Sequence, residues 1–296
     1  ERSPVIVLDQ PIGWNELRPA LAEASGAQVL EEALLDRLLA RELRDAGVTV
    51  TPADASREER ELLASVQRAA GVDEARATAM LAEFRRSRGL GPVRYRALLE
   101  RNAGLRALVA PRATVAESDV DLALRVRHGV RHRVRLLVLP TERAAAEARA
   151  ALLSGAASGA GSGPGLEVRF AERALRESID ATASAGGLVE GMSPEDPAYP
   201  AGVRSVLAGL RPGEMSPVVA LDEGAAVLLL VGTTPADQGA LTNAALRERA
   251  RAELLTRTQR VAMDELATQL LAQVNPTVLD RSLGWAWETR ARPDAR

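Results

Sequence analysis

The sequence contains no cysteine, which excludes thiol nucleophiles, cysteine-ligated zinc, iron–sulfur clusters and disulfides. It contains no lysine either: all 38 basic residues are arginine, so P-loop, Schiff-base and kinase-type lysine chemistry have no side chain to use. Two histidines leave little material for a histidine-rich metal site or a Ser-His-Asp triad. Aromatics are scarce, with three Trp, two Tyr and two Phe, so Leu, Val and Ala have to fill the core. No run approaches the ~18 consecutive apolar residues of a membrane-crossing helix. The net charge of −2 and pI near 5.9 give no sign of a general nucleic-acid binder.

What is present suffices for a substantial core. The chain has 296 residues, 46% hydrophobic and 26% charged, which fits one large domain or two ordinary ones and excludes wholesale disorder. It starts at Glu1 and not at Met, which reads as the loss of an upstream signal peptide, a lipoprotein leader or an artificial boundary. Freedom from cysteine fits an oxidising exterior compartment.

Residues 4–12 read as two short strands around a turn at Asp9-Gln10, and Trp14 opens a helix to about Ala24. From Gln28 to Ala46, Val29, Leu30, Ala33, Leu34, Leu38, Leu39 and Leu43 recur at helical spacing, and Gly47 is placed to cap the C-terminus. Thr51-Pro52 gives a cap and a first-turn proline, and Ser56 with Glu59 fits a capping box. Helices are predicted over Val72–Ser87 and Pro92–Val109, and Thr114 with Glu117 forms a second box opening a helix to Arg127. Then the texture changes. Arg131–Leu139 (RHRVRLLVL) reads as a strand, Thr141–Leu153 as an Ala-rich helix, and Ser154–Gly165 as a flexible loop. A helix over Phe170–Ser178, a turn-rich stretch around Gly186, Gly187 and Gly191, and a helix over Ala201–Leu210 follow. Pro217–Leu221 and Ala225–Val231 make a hairpin through Asp222-Glu223-Gly224. One apolar face then continues from Leu241 to Val274, and the tail Val278–Trp287 carries Trp285 and Trp287, read as packing anchors.

The middle block, about Arg131 to Val231, resembles a parvulin-type peptidyl-prolyl isomerase (rotamase, PpiC) domain. The series that carries the resemblance runs in order: RVRLLVLPTERAAAEARAAL, FAERALRES, Ser178-Ile179-Asp180, Gly186-Gly187, Leu210 to Ser216, and Asp222 to Gly224. The flanks VIVLDQPIGWNELRPAL, Gly89 to Leu99 and TVAESDV are similar to the helical lobe of SurA- and PrsA-type foldases. The resemblance implies an α+β chain: a discontinuous α-helical chaperone lobe with an inserted domain on a four-stranded antiparallel sheet. The implied division is residues 1–129, 130–235 and 236–296. It also implies export, to the periplasm or to a membrane through a removed leader, with no cofactor and no metal.

Parvulins rotate a prolyl bond against a barrier of ~18–20 kcal/mol with a small polar network that includes two histidines on adjacent strands. Here those positions fall at Leu136 and Ala226, expected to face one another, while the central acid is kept as Asp180. The resemblance places a peptide or proline pocket at Tyr199, Val203, Met192, Leu207 and Met215. With hydrocarbon at both histidine positions, rotamase activity is expected to be weak or lost. His128 and His132 are four apart, but Gly129 and the arginines around them argue against a cation site, so they read as solvated histidines at a domain junction. The arginine run from Arg125 to Arg135 reads as a solvated hinge face, since no aromatics accompany it for stacking on bases.

Three functions follow from this reading. The first is a foldase-like chaperone whose partners are unfolded or extended polypeptides. The second is an active isomerase working through Asp180. The third is a helical scaffold or homodimerisation module without clients.

Overall fold

The computed structural model describes residues 4–157 and 165–291. A hairpin, β1 (Val5–Val7) and β2 (Gln10–Ile12), leads into α1 (Trp14–Leu21), α2 (Ala27–Asp45), α3 (Pro52–Ala70), α4 (Glu74–Ser87) and α5 (Pro92–Val109). Next come α6 (Glu117–His128), β3 (Arg131–Leu139), α7 (Glu142–Ala157), α8 (Leu166–Glu177), β4 (Leu188–Met192) and α9 (Ala201–Gly209). β5 (Val219–Ala220), β6 (Ala225–Thr234), α10 (Gln238–Leu241), α11 (Ala244–Ala272) and α12 (Arg281–Ala291) complete the described chain. It divides into two compact units, one formed by the chain up to Thr114 together with the stretch from Leu255 onward, the other by Val115–Leu254. The first is helical and discontinuous, and the second holds a four-stranded antiparallel sheet, so the class is α+β as the sequence implies.

The helical unit is closed by a core that neither end of the chain can build alone. Leu35, Leu38 and Leu39 of α2 lie on one stripe and meet Leu105 and Val109 of α5 and Met263 and Leu270 of α11. Each such side chain contributes on the order of 1.5–3 kcal/mol when fully buried. Arg106 of α5 ties this core to α3 and again to α11. Its guanidinium bonds Glu58 and Glu61 of α3, with Nη2 3.0 Å from each carboxylate, and its Nη1 donates to Gln259 Oε1 at 3.0 Å. Glu58 is only 5% exposed, and its carboxylate raises the pKa of Arg106.

Several local expectations are corrected here. The hairpin turn is Leu8-Asp9, both at positive φ, and Gln10 already belongs to β2. The chain does not break after α1, because a π-helical turn, Ala22–Gly26, carries it into α2. The box that opens α3 is Thr51 with Asp54, and Ser56 instead bonds back to the Pro52 carbonyl. Ala116 is the N-cap of α6 and its methyl cannot accept a hydrogen bond, so the Thr114–Glu117 box does not form. Asn243 splits the last apolar run, accepting from the Ala245 and Leu246 amides at the start of α11. The tail is a helix, yet Trp285 is 58% exposed and Trp287 half-buried; Leu283, over Gly26, and the buried Ala286 provide its packing. Helix α7 extends to Ala157, and residues 158–164 of the expected Gly/Ser loop lie outside the described residues.

In the second unit the strand order is β4-β3-β6-β5. β4 occupies the stretch read as turns. Buried on both faces at their centres, β3 and β6 are near-continuous apolar runs. The odd-numbered residues Leu137, Leu139, Val227 and Leu229 pack on one face against Phe170, Ala174, Ala145, Ala148 and Leu152 of α7 and α8. The even-numbered residues of the same strands build the other face. Helix α6 belongs to this unit through Val120 and Leu124, which pack on Ala250.

Candidate functional site

The candidate site lies on the even-numbered face. Val134, Val138, Ala226, Leu228 and Leu230 form its floor, with Met192, Val203, Leu207 and Val219 packed on it and Leu136, Tyr199, Val206 and Leu210 partly buried at its margin. Leu136 pairs with Leu228, and Ala226 pairs with Val138. Leu136 and Ala226 therefore share this face but stand one diagonal step apart and not directly opposite. Every side chain at those four central positions is hydrocarbon, so this part of the face can exclude water but offers no hydrogen bond to an amide. Tyr199, Val203, Met192 and Leu207 meet here. Met215 does not: it packs on the opposite face with Leu137 and Leu229.

Asp180 follows from local chemistry. Ser178-Ile179-Asp180 continues the β4 edge of β3, where Ser178 Oγ accepts from Val138 N–H at 3.1 Å and Ile179 N–H donates to the Val138 carbonyl at 2.9 Å. Asp180 then caps a 3-10 turn, Ala181–Ala185, its Oδ1 accepting from the Thr182 amide at 2.8 Å and the Thr182 hydroxyl at 2.6 Å. These bonds engage the carboxylate that the resemblance marks as a catalytic acid. Among the described residues, neither histidine is bonded to it.

Two motifs of the series act as edge fittings. Gly187 lets the chain press against β3, so that Leu136 N–H reaches the Gly187 carbonyl at 2.7 Å. Ser216 exchanges both backbone bonds with Leu228 through its own backbone N–H and its side chain: Ser216 N–H donates to the Leu228 carbonyl at 2.8 Å, and Leu228 N–H donates to Ser216 Oγ at 2.9 Å. The sequence carries no signal for the role of Ser216, since a buried serine bound to backbone looks like any turn serine.

The histidines are not a solvated pair. His132 is 8% exposed, with Nδ1 3.1 Å from Thr233 Oγ1 across the sheet, while His128 is half-buried at the end of α6. Burial holds the His132 imidazole below the ordinary histidine pKa of 6.5. The unfolded chain then takes up a proton that the folded one resists, so stability is intact above the ordinary value and falls as pH drops through it. Denaturant midpoints taken on both sides of that range should show this loss, and His132→Gln should flatten it; an unchanged slope in the variant would contradict the assignment. The arginine run is solvated as expected, with Arg125, Arg127, Arg131 and Arg133 exposed, and part of it is also paired: Arg125 meets Glu195, Arg127 meets Glu253 at 2.7 Å, and Arg135 meets Glu167 at 3.1 Å.

The fold and this face define a class, a small antiparallel sheet with an apolar central face, carried between the two sequence segments of a helical unit. Among solved structures, the chain is similar to the peptidylprolyl isomerase PrsA of Bacillus anthracis, at 15% identity and TM-score 0.47 over 85% of this chain and 100% of that one. It is also similar to PrsA of Bacillus cereus, at 17% identity and TM-score 0.42 over 97% of each chain. A structure of SurA-like chaperones of Campylobacter jejuni is similar at 14% identity and TM-score 0.33, over 78% of this chain and 97% of that one. No family model and no curated protein matches the chain. Among the described residues, no helix is long and apolar enough to cross a membrane, and no group of three or more His, Asp or Glu is placed to hold a metal ion.

Proposed function

We propose that the chain is an exported foldase-like chaperone that holds unfolded or partly folded polypeptides and does not turn prolyl bonds at a useful rate. The observation that carries this reading is the hydrocarbon centre of the even-numbered face, Leu136, Val138, Ala226 and Leu228, beside an Asp180 whose carboxylate caps its own turn. Prolyl rotation needs polar groups that favour the twisted amide over the planar one. This face lacks them at the positions that would supply them, yet Tyr199, Val203, Met192 and Leu207 leave it suited to apolar side chains of a peptide. In this reading residues 130–235 are an auxiliary peptide site, and the flanking helical segments provide the main holding surface.

Two assays test it together. A stoichiometric amount of the protein should suppress aggregation of a chemically unfolded client. Isomerisation of a short proline peptide should stay at the uncatalysed rate, both for the wild type and for Asp180→Ala. Catalysis that disappears in Asp180→Ala would establish the isomerase instead. Failure to suppress aggregation would leave the scaffold reading in its place.

A further inference from the structure

The segment from Phe84 to Arg96 (FRRSRGLGPVRYR), where α4 ends and α5 begins, holds five arginines and no carboxylate. Three of the five are already paired: Arg86 with Glu83, Arg94 with Glu32 at 2.6 Å, and Arg96 with Glu100 at 2.7 Å. The other two are held by aromatic rings, Arg85 at 3.8 Å from the Tyr95 ring centre and Arg88 at 5.7 Å from that of Phe84. Among the described residues, neither has a carboxylate within ion-pair distance. A guanidinium stacked on a ring leaves its edge donors free to take a carboxylate bidentately. Arg88 is exposed and presents such an edge, whereas Arg85 Nε is buried without a hydrogen-bond partner among the described residues.

Apolar side chains accompany this charge. Ala77 and Leu81 turn the inner side of α4 to the core. On its outer side Arg76, Met80, Phe84 and Arg88 recur every four residues and so form one stripe. Met80 is 39% and Phe84 47% exposed, and Val93, in the first turn of α5, is 83% exposed. An open hollow of about 440 Å³ at the corner is lined by Ala82, Arg85, Arg86, Gly89, Leu90 and Gly91, again without a carboxylate.

We propose that the α4–α5 corner docks segments of client polypeptide in which carboxylates stand beside apolar side chains. This inference rests on the polypeptide-holding reading above and names the chemistry of the clients. The stripe runs about 18 Å at helical rise, the length of about five to six residues of extended chain. Its two apolar side chains sit between two arginines, so a segment of apolar residues flanked by carboxylates matches it in order as well as in charge. A lipid surface is served better by a broad apolar face than by a single file of this kind.

The test uses the full chain and two fluorescently labelled peptides of about six residues. One has Leu and Val at its centre flanked on both sides by Asp and Glu; the other replaces each acid by its amide. At low salt the acidic peptide should bind about tenfold more tightly, with the difference shrinking as salt is raised. The exposed double variant Arg76→Glu/Arg88→Glu should erase that preference and leave the amide peptide unaffected, and Phe84→Ser should weaken both peptides. Circular dichroism should show an unchanged helix content in each variant. Equal binding of the two peptides, or a preference that survives the double reversal, would overturn the inference while leaving the chaperone reading intact. If neither peptide nor an unfolded client bound at all, the holding function itself would fall. Binding to phosphatidylglycerol vesicles that the double reversal abolishes, without any peptide preference, would assign the corner to lipid and overturn the proposal.

Discussion

Gly187→Val should destabilise the sheet-bearing unit by about 3 kcal/mol or more, enough to unfold it at ordinary temperatures in a marginally stable protein. Gly187 sits at φ +73, in the left-handed region that costs a side chain-bearing residue roughly 1–2 kcal/mol. Steric overlap costs more. A Cβ there would lie 2.1 Å from the Leu136 carbonyl oxygen, a backbone atom that cannot swing aside. Relieving the clash means parting the chain from β3, which breaks the Leu136 N–H bond to the Gly187 carbonyl and withdraws β4 from its register beside Val134 and Arg135. Thermal melts followed by circular dichroism measure the loss. Gly165→Ala, where an added methyl meets nothing within 4 Å, is the matched control. A Gly187→Val protein that melts with the wild type would mean that the chain does not approach β3 as described.

Arg106→Ala should cost the helical unit about 3–5 kcal/mol, the range for stripping the partner from a buried charge. The lost attraction is the smaller part. Glu58 would remain with a carboxylate 5% exposed and its main donor gone, and Gln259 would lose its link to α5. The double variant Arg106→Met/Glu58→Leu separates attraction from desolvation, because removing both charges removes the penalty of burying them as well. It should recover most of the single variant's loss, and urea midpoints of the two proteins decide. A single variant as stable as the wild type would show that water reaches Glu58.

Much of the fold was legible because burial writes a period into the chain. β3 and β6 are dense apolar runs, and α2 and α5 carry helical stripes, so their existence could be read directly from those runs and stripes. β4 was hidden for a physical reason. It has only five residues, includes Gly191 at φ +68, and follows two glycines also at positive φ, so turn chemistry masked its alternation. The α10–α11 break was hidden because the apolar period carries on across Asn243, whose capping role depends on where its side chain turns. For α3, the sequence offered a cap at Thr51 and a box at Ser56 with Glu59. Pro52 at the first helical position goes with Thr51, and that settles the choice in the fold.

The site shows the same limit. The resemblance groups Leu136, Ala226, Val203 and Leu207, and alternation along β3 and β6 adds only which residues of one strand share a face. Alternation does not give register, because a slip of two residues keeps every side chain on its face; hence Leu136 meets Leu228 and not Ala226. Met215 lies outside any regular strand, where no period assigns a face, and its single bridge to Leu229 turns it to the opposite one.

The core shared by Leu35, Leu105, Val109, Met263 and Leu270 has a consequence for how the protein is made. At a synthesis rate of about 5–20 residues per second, α2 and α5 leave the ribosome on the order of ten seconds before Met263 arrives to cover them. The sheet-bearing stretch is complete in that interval and can fold on its own contacts. The early helices have no such option, so the nascent protein presents an uncovered leucine seam of the kind that helper proteins are built to shield. A protein proposed to guard others in this state passes through it first.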